Sequence, residues 1–285
     1  MSHKSRKRIR SGASACLIAM ISLLVPPAWA DDFALAVSPP RFELSVEPGV
    51  TVRAVAELSN RSDVATQLNF ATAEWKLTPE GGVTLSDGLE LNSCRPWVAI
   101  ERRQTILQAR AQLRYRFEVA PPPGTPPTEC RFAIVISGAE EQISPGGDVS
   151  FPVRGQIALI VYVAVGDVKP HLKIVKADVV DLNGIQSPVL IVENTGTAHG
   201  RLSAFLSGTD ANGKTREFAP STLPILPGET RMIALTIDDG GDAVEAQIQP
   251  RSGDKEPDLI AYPLKVSGTM NDTINSFSFE GVFEP

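Results

Sequence analysis

Beyond its first thirty residues, most of the chain alternates apolar and polar side chains. Val52, Ala54, Ala56 and Leu58 alternate with Arg53, Glu57 and Ser59, and Leu113, Tyr115, Phe117 and Val119 alternate with Arg114, Arg116 and Glu118. Cys130, Phe132, Ile134 and Ile136 share one face of the next run. A period of two sends one face of a strand to a core and the other to water. Each run stops at turn-forming residues, as at Glu47-Pro48-Gly49, Asn60-Arg61-Ser62-Asp63 and the proline-rich stretch Pro121 to Pro127. No window of a dozen residues carries a helical period. Short, evenly spaced strands bounded by turns predict an all-β chain built as β-sandwiches.

The pattern restarts after Gly166-Asp167-Val168-Lys169-Pro170. Leu172, Ile174, Ala177, Val179 and Val180 open the second series, followed by Val189 to Val192. Asp210-Ala211-Asn212-Gly213 has the composition of a hairpin turn. Further strands are expected at Met232 to Ile237, Val244 to Ile248 and Leu264 to Ser267. The two series echo one another: Leu58-Ser59-Asn60 matches Val192-Glu193-Asn194, and Ile106 to Arg110 matches Ile225 to Glu229. The expected organisation is a leader over 1–30, an immunoglobulin-like sandwich over 31–167 and a second sandwich over 168–285, joined near Asp167 to His171.

One segment changes habit midway. In VSFPVRGQIALIVYVAVG, Val149, Phe151 and Val153 alternate with Ser150, Pro152 and Arg154, whereas Ile157 to Val165 is apolar at nearly every position. A strand alternates when one face is wet and runs apolar when both are covered. The change falls at Gly155.

The leader predicts an exported chain, and export fixes how its charge and cysteines are read. Lys4, Arg6, Lys7, Arg8 and Arg10 precede an apolar run from Ala15 to Val25 and the small residues around Trp29, the layout of a secretory signal cleaved after Ala30. Of 27 Lys and Arg, the five in that leader are lost, leaving 22 against 33 acidic residues and a formal charge of −11. So acidic a chain lacks the basic face a nucleic-acid binder needs. Cys16 falls within the leader, so Cys94 and Cys130 remain, and in an oxidising compartment two thiols most simply form one disulfide.

Catalytic chemistry finds no foothold. There is no G-x-S-x-G elbow, H-E-x-x-H pair, P-loop or Rossmann glycine pattern, so no enzyme is expected. His171 beside Pro170 and His199 in a polar turn read as plain surface or hinge histidines. Asp238, Asp239 and Asp242 match no calcium loop and read as a solvated acidic turn. Trp75 and Trp97 read as core. No metal and no cofactor is implied, and what remains is binding.

Three ordered stretches carry a resemblance: Val37-Ser38-Pro39-Pro40-Arg41-Phe42-Glu43-Leu44, Ala56-Glu57-Leu58-Ser59-Asn60 and Ala73-Glu74-Trp75. In that order they resemble the first domain of the periplasmic chaperones of the chaperone–usher pilus pathway, and residues 149–166 resemble that domain's last strand. The resemblance implies two immunoglobulin-like domains set as a boomerang, a periplasmic location, and pilus or surface-fibre subunits and an outer-membrane usher as partners, without nucleic acid or membrane anchor. Such chaperones insert alternate apolar side chains of an edge strand into a subunit's open groove, a form of β-augmentation. Carried over residue by residue, Val149, Phe151 and Val153 are the donated side chains, and Arg41 matches the arginine that anchors a subunit's terminal carboxylate. The partner lysine is missing: Ala158 stands at its position, and Arg154 and Lys169 are substitutes that do not align. Pro152 is a second departure, since proline cannot donate to a ladder, and the cysteine pair is a third. The competing readings are an immunoglobulin-like adhesion or scaffold module with a non-pilus client and a secreted β-sandwich hydrolase.

Overall fold

The computed structural model describes residues 34–79, 81–143, 151–238 and 259–285, and of residues 141–143 and 151 the backbone. The leader, Val149, Asp239, Asp242 and the strand expected at Val244 to Ile248 lie outside the described residues. Strands dominate, and one short 3₁₀ turn spans Arg95–Trp97.

The first sandwich is made by β1 (Leu35–Ser38), β2 (Arg41–Val46), β3 (Val52–Asn60), β4 (Thr66–Leu77), β5 (Val83–Ser86), β6 (Val98–Ile100), β7 (Gln104–Leu107), β8 (Gln112–Val119), β9 (Thr128–Ser137), β10 (Glu141–Ile143), β11 (Phe151–Val153) and β12 (Gln156–Val165). One sheet runs β1-β3-β8-β6, and the facing sheet runs β2-β12-β9-β4-β5 with β7 also on β4. The alternation read from sequence is the inward set: Ala54, Ala56 and Leu58 of β3, Tyr115, Phe117 and Val119 of β8, and Phe132, Ile134 and Ile136 of β9 form one buried core. Each buried Phe, Leu or Ile is worth about 1.5–3 kcal/mol by area. Cys94 and Cys130 are disulfide-bonded within that core, their Cα atoms 6.0 Å apart.

The second sandwich consists of β13 (Leu172–Leu182), β14 (Ile185–Asn194), β15 (Leu202–Thr209), β16 (Thr215–Pro220), β17 (Thr230–Ile237), β18 (Leu264–Asp272) and β19 (Asn275–Phe283). Its order is β13-β14-β17-β16-β15-β18-β19. The short ladder of Phe218–Pro220 with Leu235–Ile237 joins two halves, which enclose one core including Leu190, Leu206, Phe218, Ile233, Val266 and Phe283.

The internal echo has a physical meaning. Asn60 and Asn194 are both buried, 4% and 0% exposed. Asn60 Nδ2 donates to the carbonyls of Val64, Leu107 and Gln108, and Asn194 Nδ2 to those of Ala198 and Ile225. Each Oδ1 accepts the N–H two residues on, from Ser62 and Gly196. Each sandwich thus ties its second echoed segment to the end of a strand through one asparagine.

Candidate functional site

Gly155 separates two regimes of pairing. From Gln156 to Val165, β12 is laddered to β9 along its whole length. Before it, β11 pairs with β10 as a two-stranded ribbon, Phe151 opposite Ile143 and Val153 opposite Glu141. The ribbon continues the β9–β12 hairpin, and Gly138 N–H donates to the Gly155 carbonyl at the junction (3.0 Å). Val153 is 47% exposed, and Arg154 is exposed and paired with Glu140 at 3.4 Å. Pro152 sits opposite Gln142. Its missing N–H is tolerated on an edge.

The other side of β12 is covered in part. β2 runs parallel to it from Arg41 opposite Ile160 to Val46 opposite Val165. Residues 156–159 therefore have β9 on one side and, among the described residues, no strand on the other. Pro39 and Pro40 cause this. They carry the chain from β1, in the opposite sheet, to the start of β2, and without N–H groups they cannot extend the ladder backward. Among the described residues the result is an open edge over residues 151–159 that stops at Arg41.

The apolar half of the segment is covered on both faces, as its composition implies. Leu159, Val161, Val163 and Val165 point into the first core. Ala158, Ile160 and Tyr162 point outward, into a cluster with Ala73, Trp75, Ala133 and Val135 to which Leu226 of the second sandwich contributes. Trp75 is thus buried, but on the outer face of its sheet rather than between the sheets, edge-on to Tyr162 at 5.4 Å and under the Arg131 guanidinium at 5.6 Å. Trp97 is half-buried against the first core.

His199 corrects its reading as a surface histidine. Its side chain is 9% exposed and its ring stacks on Tyr162 at 3.8 Å. Its backbone N–H and Nδ1 both engage Glu129 Oε2, at 3.0 and 2.6 Å. The reading failed because these partners lie far off in sequence and periodicity says nothing about them. Burial opposes the imidazolium, but the hydrogen bond to Glu129 and the nearby Glu43 carboxylate outweigh it and raise its pKa. His171 is exposed, with its N–H on Asn194 Oδ1.

Arg41, on the same outward face, meets this cluster through Glu43. Arg41 Nε is 2.9 Å from Glu43 Oε1, and both side chains are about half exposed. The same oxygen lies 3.6 Å from His199 Nε2 and 3.6 Å from Arg201 Nε. Arg201 also lies over Tyr162 and bonds its hydroxyl. His199, joined by Arg41 and Arg201, pulls the Glu43 carboxyl down to about 2 against the effect of burial. Ala158 lies two residues before Ile160 and offers no charge. Lys169 is paired with Asp167 at 2.8 Å, in the connection between the sandwiches. Among the described residues no group of three His, Cys, Asp or Glu side chains could hold a metal, and no helix is long and apolar enough to cross a membrane.

No family model matches the chain, and no curated protein does. Among solved structures it is similar to the YadV chaperone, with 11% identity over 87% of this chain and 99% of that one and a TM-score of 0.44. It is also similar to the CsuC–CsuE chaperone–tip adhesion subunit pre-assembly complex of Acinetobacter baumannii, with 13% identity over 88% and 99% and a TM-score of 0.42. A third is the E. coli chaperone DraB, with 14% identity over 87% and 98% and a TM-score of 0.42.

Proposed function

We propose that this chain is an exported chaperone that caps pilus or surface-fibre subunits in the periplasm, adding its open β11–β12 edge to their groove before an outer-membrane usher receives them. The observation that carries the reading is the edge over residues 151–159, unpaired on one side and closed by a cation, Arg41. Polar backbone along such an edge is a template for another strand. Val149, Phe151 and Val153 are the side chains that enter the groove, and Arg154 lies at its rim. The sequence resemblance points the same way. In this reading the leader occupies 1–30 and the two domains 31–167 and 168–285.

Arg41 also sets a direction. A strand laid along residues 151–159 in line with β2 meets Arg41 at one end. If that end is a terminal carboxylate, the client strand runs parallel to β12, as β2 does. The missing lysine does not remove the anchor, because Arg41 has other cations within reach through Glu43.

Site-specific photo-crosslinking tests the reading. The chaperone is expressed together with the small secreted subunits encoded beside its gene, carrying a photoreactive residue at position 156 on the open edge or at position 173 on β13, an edge strand of the second sandwich. Capture of a subunit from position 156 and not from 173 is expected. Equal capture at both, or capture from 173 alone, contradicts it.

A further inference from the structure

The carboxylate site at Arg41 is already filled by the chain's own Glu43. Two guanidinium groups and an imidazole converge on one oxygen: Arg41 Nε from β2 at 2.9 Å, and His199 Nε2 and Arg201 Nε from the second sandwich, each at 3.6 Å from Oε1. We infer that Glu43 is a built-in occupant of the client-carboxylate site, and that a client's terminal carboxylate binds by taking its place among Arg41, His199 and Arg201. This rests on the client reading above.

Two carboxylates face these cations, and their situations differ. Glu129 is committed: its side chain is 3% exposed, and its Oε2 accepts from both the backbone and the ring of His199. Glu43 is 45% exposed and stands on β2, the edge strand of its sheet, so it can swing to water without disturbing a core. Exchange of Glu43 for a client carboxylate replaces like charge with like and leaves no cation buried alone, which is the costly outcome.

A second observation points to a ligand. Arg201 is 16% exposed, and it uses its terminal nitrogens on the Thr222 carbonyl and the Tyr162 hydroxyl. Its buried Nε has no hydrogen-bond partner. At 3.6 Å, Glu43 Oε1 is too far to serve it. An incoming carboxylate, free of the tether to β2, can approach Nε within bonding distance while its second oxygen meets Arg41. The absent lysine then follows. Cationic charge beside Arg41 comes from the second sandwich, and position 158 can be alanine.

The test uses the full mature chain and two synthetic peptides of alternating valine and threonine, one ending in a free carboxylate and the other in an amide. Calorimetry at low salt gives the preference for acid over amide in wild type, Glu43→Gln, Glu43→Asp and the double variant Glu43→Gln/Arg201→Met. Removing the internal competitor should raise the acid preference about tenfold, the scale of one hydrogen bond to a charged group. Glu43→Asp, whose shorter arm cannot reach Arg41 and the other two cations together, should fall between, and the Arg201 change should reverse the gain. A wild type that prefers the acid, with the preference unchanged in a Glu43→Gln protein of native melting behaviour, overturns the inference and leaves the client reading standing. No acid preference in any of these proteins removes both.

Discussion

Among the described residues, Asn60 and Asn194 each hold several backbone groups through one side chain. Asn194 donates to two carbonyls and accepts the N–H groups of His171 and Gly196, in a site with no solvent access. Asn194→Ala would leave those groups buried without partners, a loss of about 3 kcal/mol, read by chemical denaturation. A loss below that of an ordinary surface substitution would show that the loop does not depend on it. The two asparagines were legible as an echo in the sequence, because each ends a strand and precedes a turn. His199 was not legible, since its ring partner Glu129 lies 70 residues away. Its titration makes a signed prediction. The folded pKa is raised above the ordinary 6.5, so its stabilising charge is fully present below that value and is lost as pH rises through the folded pKa. Facing it are Glu129 and Glu43, which favour the charge, and Arg201 and the Tyr162 ring, of which Arg201 opposes it. His199→Phe should therefore melt well below wild type under mildly acid conditions, with the gap shrinking at alkaline pH. A gap independent of pH contradicts a charged His199 held by Glu129 and Glu43.

At the scale of elements, the β11–β12 segment was the most readable part of the chain, and the reason is the pleat. Alternation before Gly155 and a continuous apolar run after it correspond to a two-stranded ribbon followed by a strand covered on both faces. What periodicity could not supply is the identity of the second cover. Ala158, Ile160 and Tyr162 share an outer cluster with Leu226, 64 to 68 positions further along the chain, and Arg41 meets His199 and Arg201 of the second sandwich through one glutamate. The open edge itself follows from Pro39 and Pro40, visible in the sequence but meaningful only once β1 and β2 are seen in opposite sheets. Paired substitutions separate the two regimes. Val153→Glu and Phe151→Glu should leave the melt close to wild type and abolish client capture, because an unpaired charge cannot enter an apolar groove. Leu159→Glu, at a site 1% exposed, should cost upward of about 4 kcal/mol and unfold the first sandwich. Equal destabilisation at all three sites would make the segment ordinary core and remove the donor strand.

At the scale of the whole molecule, contacts between the two sandwiches among the described residues include the cluster of Glu43, Glu129 and Tyr162 with His199 and Arg201, the packing of Leu226 near Trp75, and Arg231, whose guanidinium donates to the carbonyls of Thr78 and Pro79. Gly81 lies so near Leu223 that a Cβ there would come within 2.9 Å of it. These contacts hold the second sandwich beside the end of the open edge, where its cations can reach a bound carboxylate. Other edges remain among the described residues, on β1, β2, β5, β6, β13 and β19, and the account requires that a client choose the edge over residues 151–159 above all of these. Amide hydrogen exchange reads every edge at once. Measured on the mature chain alone and saturated with a strand-forming peptide ending in a free carboxylate, exchange should slow over residues 151–159, with the amides of residues 160–165, already laddered between β2 and β9, little changed. No slowing at 151–159, or slowing on another edge strand in its place, would contradict the claim that this edge is where the protein holds its client.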